Sequence, residues 1–360
     1  MRPSPTYDIT RSYDSNYQEG PFLKEKPPVR QIRKRVKFLG FDVNSRLGIP
    51  AGPLLNSRWI IAYGELGFDL LVYKTVRTRA TPSHPDPNCM FLQVKGQLEE
   101  KDFGKRLIAS MDAPSSVEEI SITNSFGMPS RDPKVWQEDI GRAKAGIGEG
   151  QLLIVSVVGT PGEKDLAEDY ARAARLAAEA GAPAVEINLS CPNVVTGEGS
   201  VYTDPVFSSE ISKRVKQAIG PVPLIIKIGY ISDPSRLEKV VAANAPHVDA
   251  ISGVNTLSFE VVKPDGTPAL PGKGRLRSGV CGAAIRQCAV TQAARIIDLK
   301  RKEKYGFEVV GVGGVMTTAH IREFLDLGVD AVMTATGAMW DPLLAYNYWN
   351  TQRERNPLQG

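Results

Sequence analysis

Eight short β-branched or apolar runs recur along this chain with helical stretches between them, and that rhythm constrains the fold more than any other feature. The runs cover 47–51, 70–75, 153–158, 184–189, 224–228, 250–254, 309–313 and 331–335. The stretches between them carry helix punctuation. Asp204-Pro205 offers a capping carboxylate and then a proline at the first helical position; Phe207, Ile211, Val215 and Ile219 form one apolar stripe, and Gly220 ends it. Leu166, Tyr170, Ala173, Ala177 and Ala180 form a second stripe ended by Gly181. Asp233-Pro234 opens a third helix, and Ile321, Phe324 and Leu325 before Gly328 mark a fourth. Strands alternating with helices imply a parallel sheet. Eight such units predict an α/β fold, a closed (β/α)8 TIM barrel, over residues 38–360. Two stretches break the alternation: a long excursion over 76–150 after strand 2, and a lid-like insertion over 257–282 after strand 6. Segments of that length on a barrel are often functional. Residues 1–37 read as a polar, basic N-terminal arm, solvated and packed over the body.

Composition removes several function classes. The chain has 360 residues, 42% hydrophobic, with a formal net charge of +4, too small and dispersed to argue for nucleic acid. It holds no apolar run of transmembrane length, and its N-terminus has no signal-like apolar core. Cys89, Cys191, Cys281 and Cys288 form no C-x-x-C pair, and His84, His247 and His320 are too few for a three-histidine centre, so no metal site is expected. A cytoplasmic setting is the expectation.

A barrel of this type works at the C-terminal ends of its strands. There the chain places Ala51-Gly52, Lys74-Thr75, Asn188 through Cys191 to Asn193, Lys227, Asn255-Thr256, Gly313-Gly314 and Thr336-Gly337. A full ring of polar strand ends suggests a pocket that hydrogen-bonds a planar, polar ligand. The glycine pairs after strands 7 and 8 stand where such barrels often hold phosphate. Lys74 and Lys227 favour an anionic ligand or developing negative charge, with a Schiff-base lysine as the competing chemistry. Cys191, in a polar turn before a glycine-containing segment, is a candidate base or nucleophile. Cys89, Cys281 and Cys288 read as structural.

At this point the motifs carry a resemblance. Glu186-Ile-Asn-Leu-Ser-Cys-Pro-Asn193 resembles the active-site motif of the class 1 dihydroorotate dehydrogenases, whose base is a cysteine, and Asn124-Ser-Phe-Gly-Met-Pro129 resembles their orotate-binding loop. Lys74, Lys227, Asn255-Thr256, Gly282, Gly313-Gly314 and Thr336-Gly337 fit the same pattern in order and spacing, over about residues 38–345. Residues 265–268 and 279–286 are also similar to the pyrimidine domain of the dihydropyrimidine dehydrogenases.

The resemblance implies an FMN-dependent oxidoreductase of pyrimidine biosynthesis that converts dihydroorotate to orotate. The cofactor would be held by Ala51, Gly52, Lys74, Thr75, Asn188, Lys227, Val254, Gly282, Gly313, Gly314, Thr336 and Gly337. The substrate would be held by Lys74, Asn124, Phe126, Gly127, Met128, Asn188, Asn193, Asn255 and Thr256. Cys191 would take the C5 proton as C6 gives hydride to flavin N5, with Lys227 and Lys74 supplying positive charge. Implied partners are a second copy of the chain and, where NAD is the oxidant, a separate iron–sulfur/FAD subunit. Reduction of uracil-type pyrimidines and a Schiff-base lyase using Lys227 stay open as alternatives.

Overall fold

The computed structural model describes residues 5–23, 35–190, 195–196 and 199–355. Leu47–Ile49, Leu70–Val76, Leu152–Val157, Ala184–Asn188, Leu224–Lys227, Ala250–Gly253, Glu308–Val312 and Ala331–Met333 pair in parallel, in chain order, and close into a barrel. The helices stand where their caps place them. Asp204 accepts from the N–H groups of Val206 and Phe207 at 3.0 Å each, and the helix Pro205–Ile219 follows.

The barrel interior follows from the two-residue period of a strand. Leu70, Val72, Leu152, Ile154, Ala184, Ile225, Ala250, Val310 and Val312 form one apolar cluster, with Phe38 and Val43 of the hairpin Val36–Phe38/Phe41–Val43 joining it from below. Two residues further along the same faces the interior becomes polar: Lys74 above Val72, Ser156 above Ile154, Glu186 above Ala184, Lys227 above Ile225 and Ser252 above Ala250, all buried. The apolar layer stabilises the barrel, and the polar layer caps it at the C-terminal ends of the strands.

The two excursions form one structure. Cys89–Leu92, Arg106–Ser110 and Ser121–Asn124 from the first combine with Leu257–Val262 and Arg277–Gly282 from the second in a closed five-stranded sheet. Its pairs are antiparallel except for Leu257–Val262 beside Arg106–Ser110. The insertion after strand 6 is therefore tied into a wall of the mouth by main-chain pairing.

The arm also departs from the sequence reading. Between residues 5 and 23 it forms the helix Tyr13–Glu19 and buries Thr6, Tyr7, Tyr13 and Asn16. These residues are part of the core rather than a solvated cover. The basic stretch 24–34 lies outside the described residues. No described helix is long and apolar enough to cross a membrane.

Candidate active site

Two lysines define the floor of the mouth. Lys227, at the end of its strand, is 2% exposed, and its Nζ donates to the Ala51 carbonyl at 3.2 Å. Lys74 reaches the same layer through an irregularity between Tyr73 and Val76, which lets neighbouring Thr75 meet the Ser156 hydroxyl at 3.0 Å. Burial pulls the Lys74 ammonium down to about 7, and the positive charges of Arg77 and Lys227 add to it. Burial also lowers Lys227, but Glu186 and Cys281 oppose that shift.

Glu186 is the counter-charge. It is 1% exposed; burial raises its carboxyl, with Lys227 and the Ser156 hydroxyl pulling it back. Its Oε1 has no hydrogen-bond partner among the described residues, and neither does Ser252 Oγ. A buried carboxylate and ammonium persist together because each relieves the other's desolvation. Two unpartnered buried oxygens in a polar layer mark a surface built for more than packing.

Amides ring this floor. Asn188 Oδ1 accepts from Ser190 N–H at 3.2 Å and from its hydroxyl at 2.9 Å, and Asn255 Nδ2 donates to Ser190 Oγ at 2.5 Å. Asn188 Nδ2 also lies 4.0 Å from the Met128 sulfur. From the five-stranded sheet, Asn124 Nδ2 donates to Cys281 Sγ at 3.4 Å. Thr336, after the eighth barrel strand, donates to the same sulfur at 3.6 Å. The Val254 N–H donates to the Val312 carbonyl at 2.6 Å, tying strands 6 and 7 at their ends.

The loop 124–128 is held from outside. Gly127 and Met128 have φ of 77° and 51°, so two successive residues turn left-handed. A Cβ at Gly127 would lie 2.6 Å from the His84 ring, so glycine is required by space as well as by φ. Arg77 Nε donates to the Met128 carbonyl at 3.2 Å, and Arg275 Nη2 to the Ser125 carbonyl at 2.7 Å. After the seventh strand, Gly313 and Gly314 have φ of 121° and 69°, a turn that bare backbone makes without strain. Gly52 opens to free space, and Thr256 packs against Gly279.

The structure thus brings together most of the residues expected from sequence. Ala51, Lys74, Asn124, Asn188, Lys227 and Thr336 are linked through the contacts above, and Phe126, Gly127 and Met128 share one loop with Asn124. Gly282, Gly313, Gly314 and Gly337 stand at turns leaving strands or opening helices. Cys191 and Asn193 lie outside the described residues.

Cys281 is held between Asn124 and Thr336 at the edge of this site, and burial raises its thiol. No local signal marks it. Glu186 and Ser156 were also missed, though Glu186 had one: a carboxylate in phase with Asn188 on the inward face of Ala-Val-Glu-Ile-Asn.

Residues 34–347 match the family model for dihydroorotate dehydrogenase. A dihydroorotate dehydrogenase of Dictyostelium discoideum is 40% identical, across 97% of this chain and 98% of its own length. The catalytic subunit of an NAD-dependent dihydroorotate dehydrogenase B from Desulforudis audaxviator is 31% identical over 53% of this chain and 58% of its own. A putative fumarate-type dihydroorotate dehydrogenase A from Solibacter usitatus is 34% identical over 49% of the chain and 55% of its own. With the barrel in place and the family model spanning most of its length, this chain belongs to the dihydroorotate dehydrogenase family and is an oxidoreductase.

Proposed function

We propose that this chain oxidises dihydroorotate to orotate with FMN at the barrel mouth. The observation that carries the reading is the pair of buried ammonium groups, Lys74 and Lys227, set among Asn124, Asn188 and Asn255. Buried cations at a mouth ringed by amides suit an anionic, planar ligand that carries carbonyl and N–H groups.

The residues present fit a flavin. The polar layer has unpartnered oxygens on Glu186 and Ser252, and Gly313-Gly314 offers a side-chain-free turn beside Thr336-Gly337 for a phosphate. Lys227, Ala51, Gly52, Thr75, Val254 and Gly282 would complete the cofactor's surroundings. When bound, such a group supplies hydride acceptance.

The chain's own residues then have separate tasks. Lys227 holds positive charge at the floor, where negative charge grows during reduction. Lys74 pairs with the substrate carboxylate and borders the cofactor. Asn124, Asn188, Asn193, Asn255 and Thr256 fix the pyrimidine edge, with Phe126, Gly127 and Met128 closing over it. Cys191 removes the C5 proton as hydride leaves C6, so that one proton and one hydride depart and orotate results.

Cofactor binding tests the first half of the reading. Protein stripped of flavin and titrated with FMN should quench flavin fluorescence to a one-to-one endpoint. Protein that leaves the fluorescence unchanged across the titration contradicts the assignment.

A further inference from the structure

The segment between residues 5 and 23 grips both sides of the mouth. On the barrel side, Thr6 Oγ1 and the Tyr63 hydroxyl share a 2.6 Å hydrogen bond, and the Thr6 N–H donates to the Met339 carbonyl at 2.9 Å. The Tyr17 carbonyl accepts from Asn56 Nδ2 at 2.7 Å and from Arg58 Nη2 at 2.8 Å. On the side of the substrate loop, Asp14 pairs with Arg131 at 2.5 Å, and that guanidinium lies 4.4 Å over the Tyr17 ring. Between these anchors Tyr7 and Tyr13 are buried, and both rings meet Phe126 edge-on, with centroids 5.9 and 6.2 Å away. The Tyr13 ring also lies under the Lys74 ammonium, 5.8 Å from Nζ to the centroid.

Two facts make this more than packing. The charges acting on Lys74 among the described residues are Arg77 and Lys227, both positive. A buried ammonium so placed is stabilised by any negative potential nearby, and the face of an aromatic ring within about 6 Å supplies it. Second, Phe126 belongs to the loop 124–128, and Tyr13 meets both its ring and the Lys74 ammonium, so one tyrosine touches both walls.

We propose that the N-terminal arm is a positioning element of the active site: Tyr13 steadies the Lys74 ammonium and, with Tyr7, pins Phe126, so that both walls meet the ligand in register. This rests on the reading of the mouth as a pocket for orotate and dihydroorotate.

The sign of the effect follows from charge. Lys74 binds a carboxylate in its protonated form, so orotate affinity falls as pH rises through the titration of Lys74, depressed to about 7 by burial, Arg77 and Lys227. The ring face favours the protonated form, so its removal moves that fall to lower pH. Burial raises the Tyr13 phenol, which therefore stays neutral throughout.

The test uses the full chain with flavin bound and follows orotate affinity from roughly pH 5.5 to 9 through the flavin's visible band. Tyr13→Leu should shift the midpoint of the loss down by about half a unit to one unit and weaken orotate at pH 7.5 by about 3- to 10-fold. KM for dihydroorotate should rise more than kcat falls, and Tyr13→Phe, which keeps the ring, should restore the wild-type profile. Asp14 is exposed, so Asp14→Asn loosens the anchor without touching the core and should move affinity in the same direction by less. A wild-type profile for both Tyr13→Leu and Asp14→Asn overturns the proposal, as does equal damage by Tyr13→Leu and Tyr13→Phe. A wild-type protein that binds flavin but no orotate overturns the reading of the pocket itself, and this inference with it.

Discussion

Cys191→Ala is expected to leave flavin bound and to slow its reduction by dihydroorotate by about 10²- to 10⁴-fold, the usual contribution of a positioned general base. The C5 proton is acidified by the adjacent carbonyl, yet it still needs an acceptor within reach, and the motif around Cys191 supplies one. Cys191→Ser keeps a polar atom at that position but is a poorer base at neutral pH, so it should remain slow. Single-turnover reduction separates this from binding: the amplitude of bleaching at saturating dihydroorotate should survive while the rate collapses. Unchanged reduction in either variant removes Cys191 from its role.

Lys227→Met is expected to damage both folding and chemistry, in separable ways. It strands Glu186, a 1% exposed carboxylate, without its counter-charge. Lys227 and Glu186 act on each other electrostatically, and leaving a buried polar group uncompensated costs about 1–3 kcal/mol, more when it is charged. Glu186 already has a raised carboxyl in the native state, so the folded form holds its proton more tightly than the unfolded chain does. That contribution to stability is present at low pH and fades as pH climbs from the ordinary carboxyl value to the native one. Without Lys227 the native value moves higher still, so the decline in stability extends further toward alkaline pH. Adding Glu186→Gln should recover most of the lost stability, because the amide carries no charge to bury. It should not recover flavin reduction, which loses about 10²- to 10³-fold with a preorganised charge at the site. Recovery of reduction in the double variant, or no loss in Lys227→Met, contradicts the assigned role.

How much of this was legible in the sequence depends on how local each signal is. The barrel strands were legible because parallel strands covered on both faces read as nearly continuous apolar runs. The expected run over 70–75 is the strand Leu70–Val76, and that over 224–228 is Leu224–Lys227. The lysines and amides stood out because they end those runs. The five-stranded sheet was not legible: Asn124 pairs with Gly279, far along the chain, and neither neighbourhood reports the other. The arm was misread for a related reason. Tyr7 and Tyr13 sit among polar residues without a periodic stripe, and their burial comes from Phe126 and Trp59, supplied by distant elements. The position of Cys281 beside the site gave no sign either, because Asn124 and Thr336, which hold it, come from distant parts of the chain.

The central claim is that this mouth passes electrons from dihydroorotate to a flavin. An anaerobic visible spectrum of the flavin-loaded protein, recorded before and after L-dihydroorotate, tests it most directly. The account predicts that the flavin band bleaches and that orotate appears in equal amount. A flavin band that persists in excess dihydroorotate, in protein that binds FMN, contradicts it.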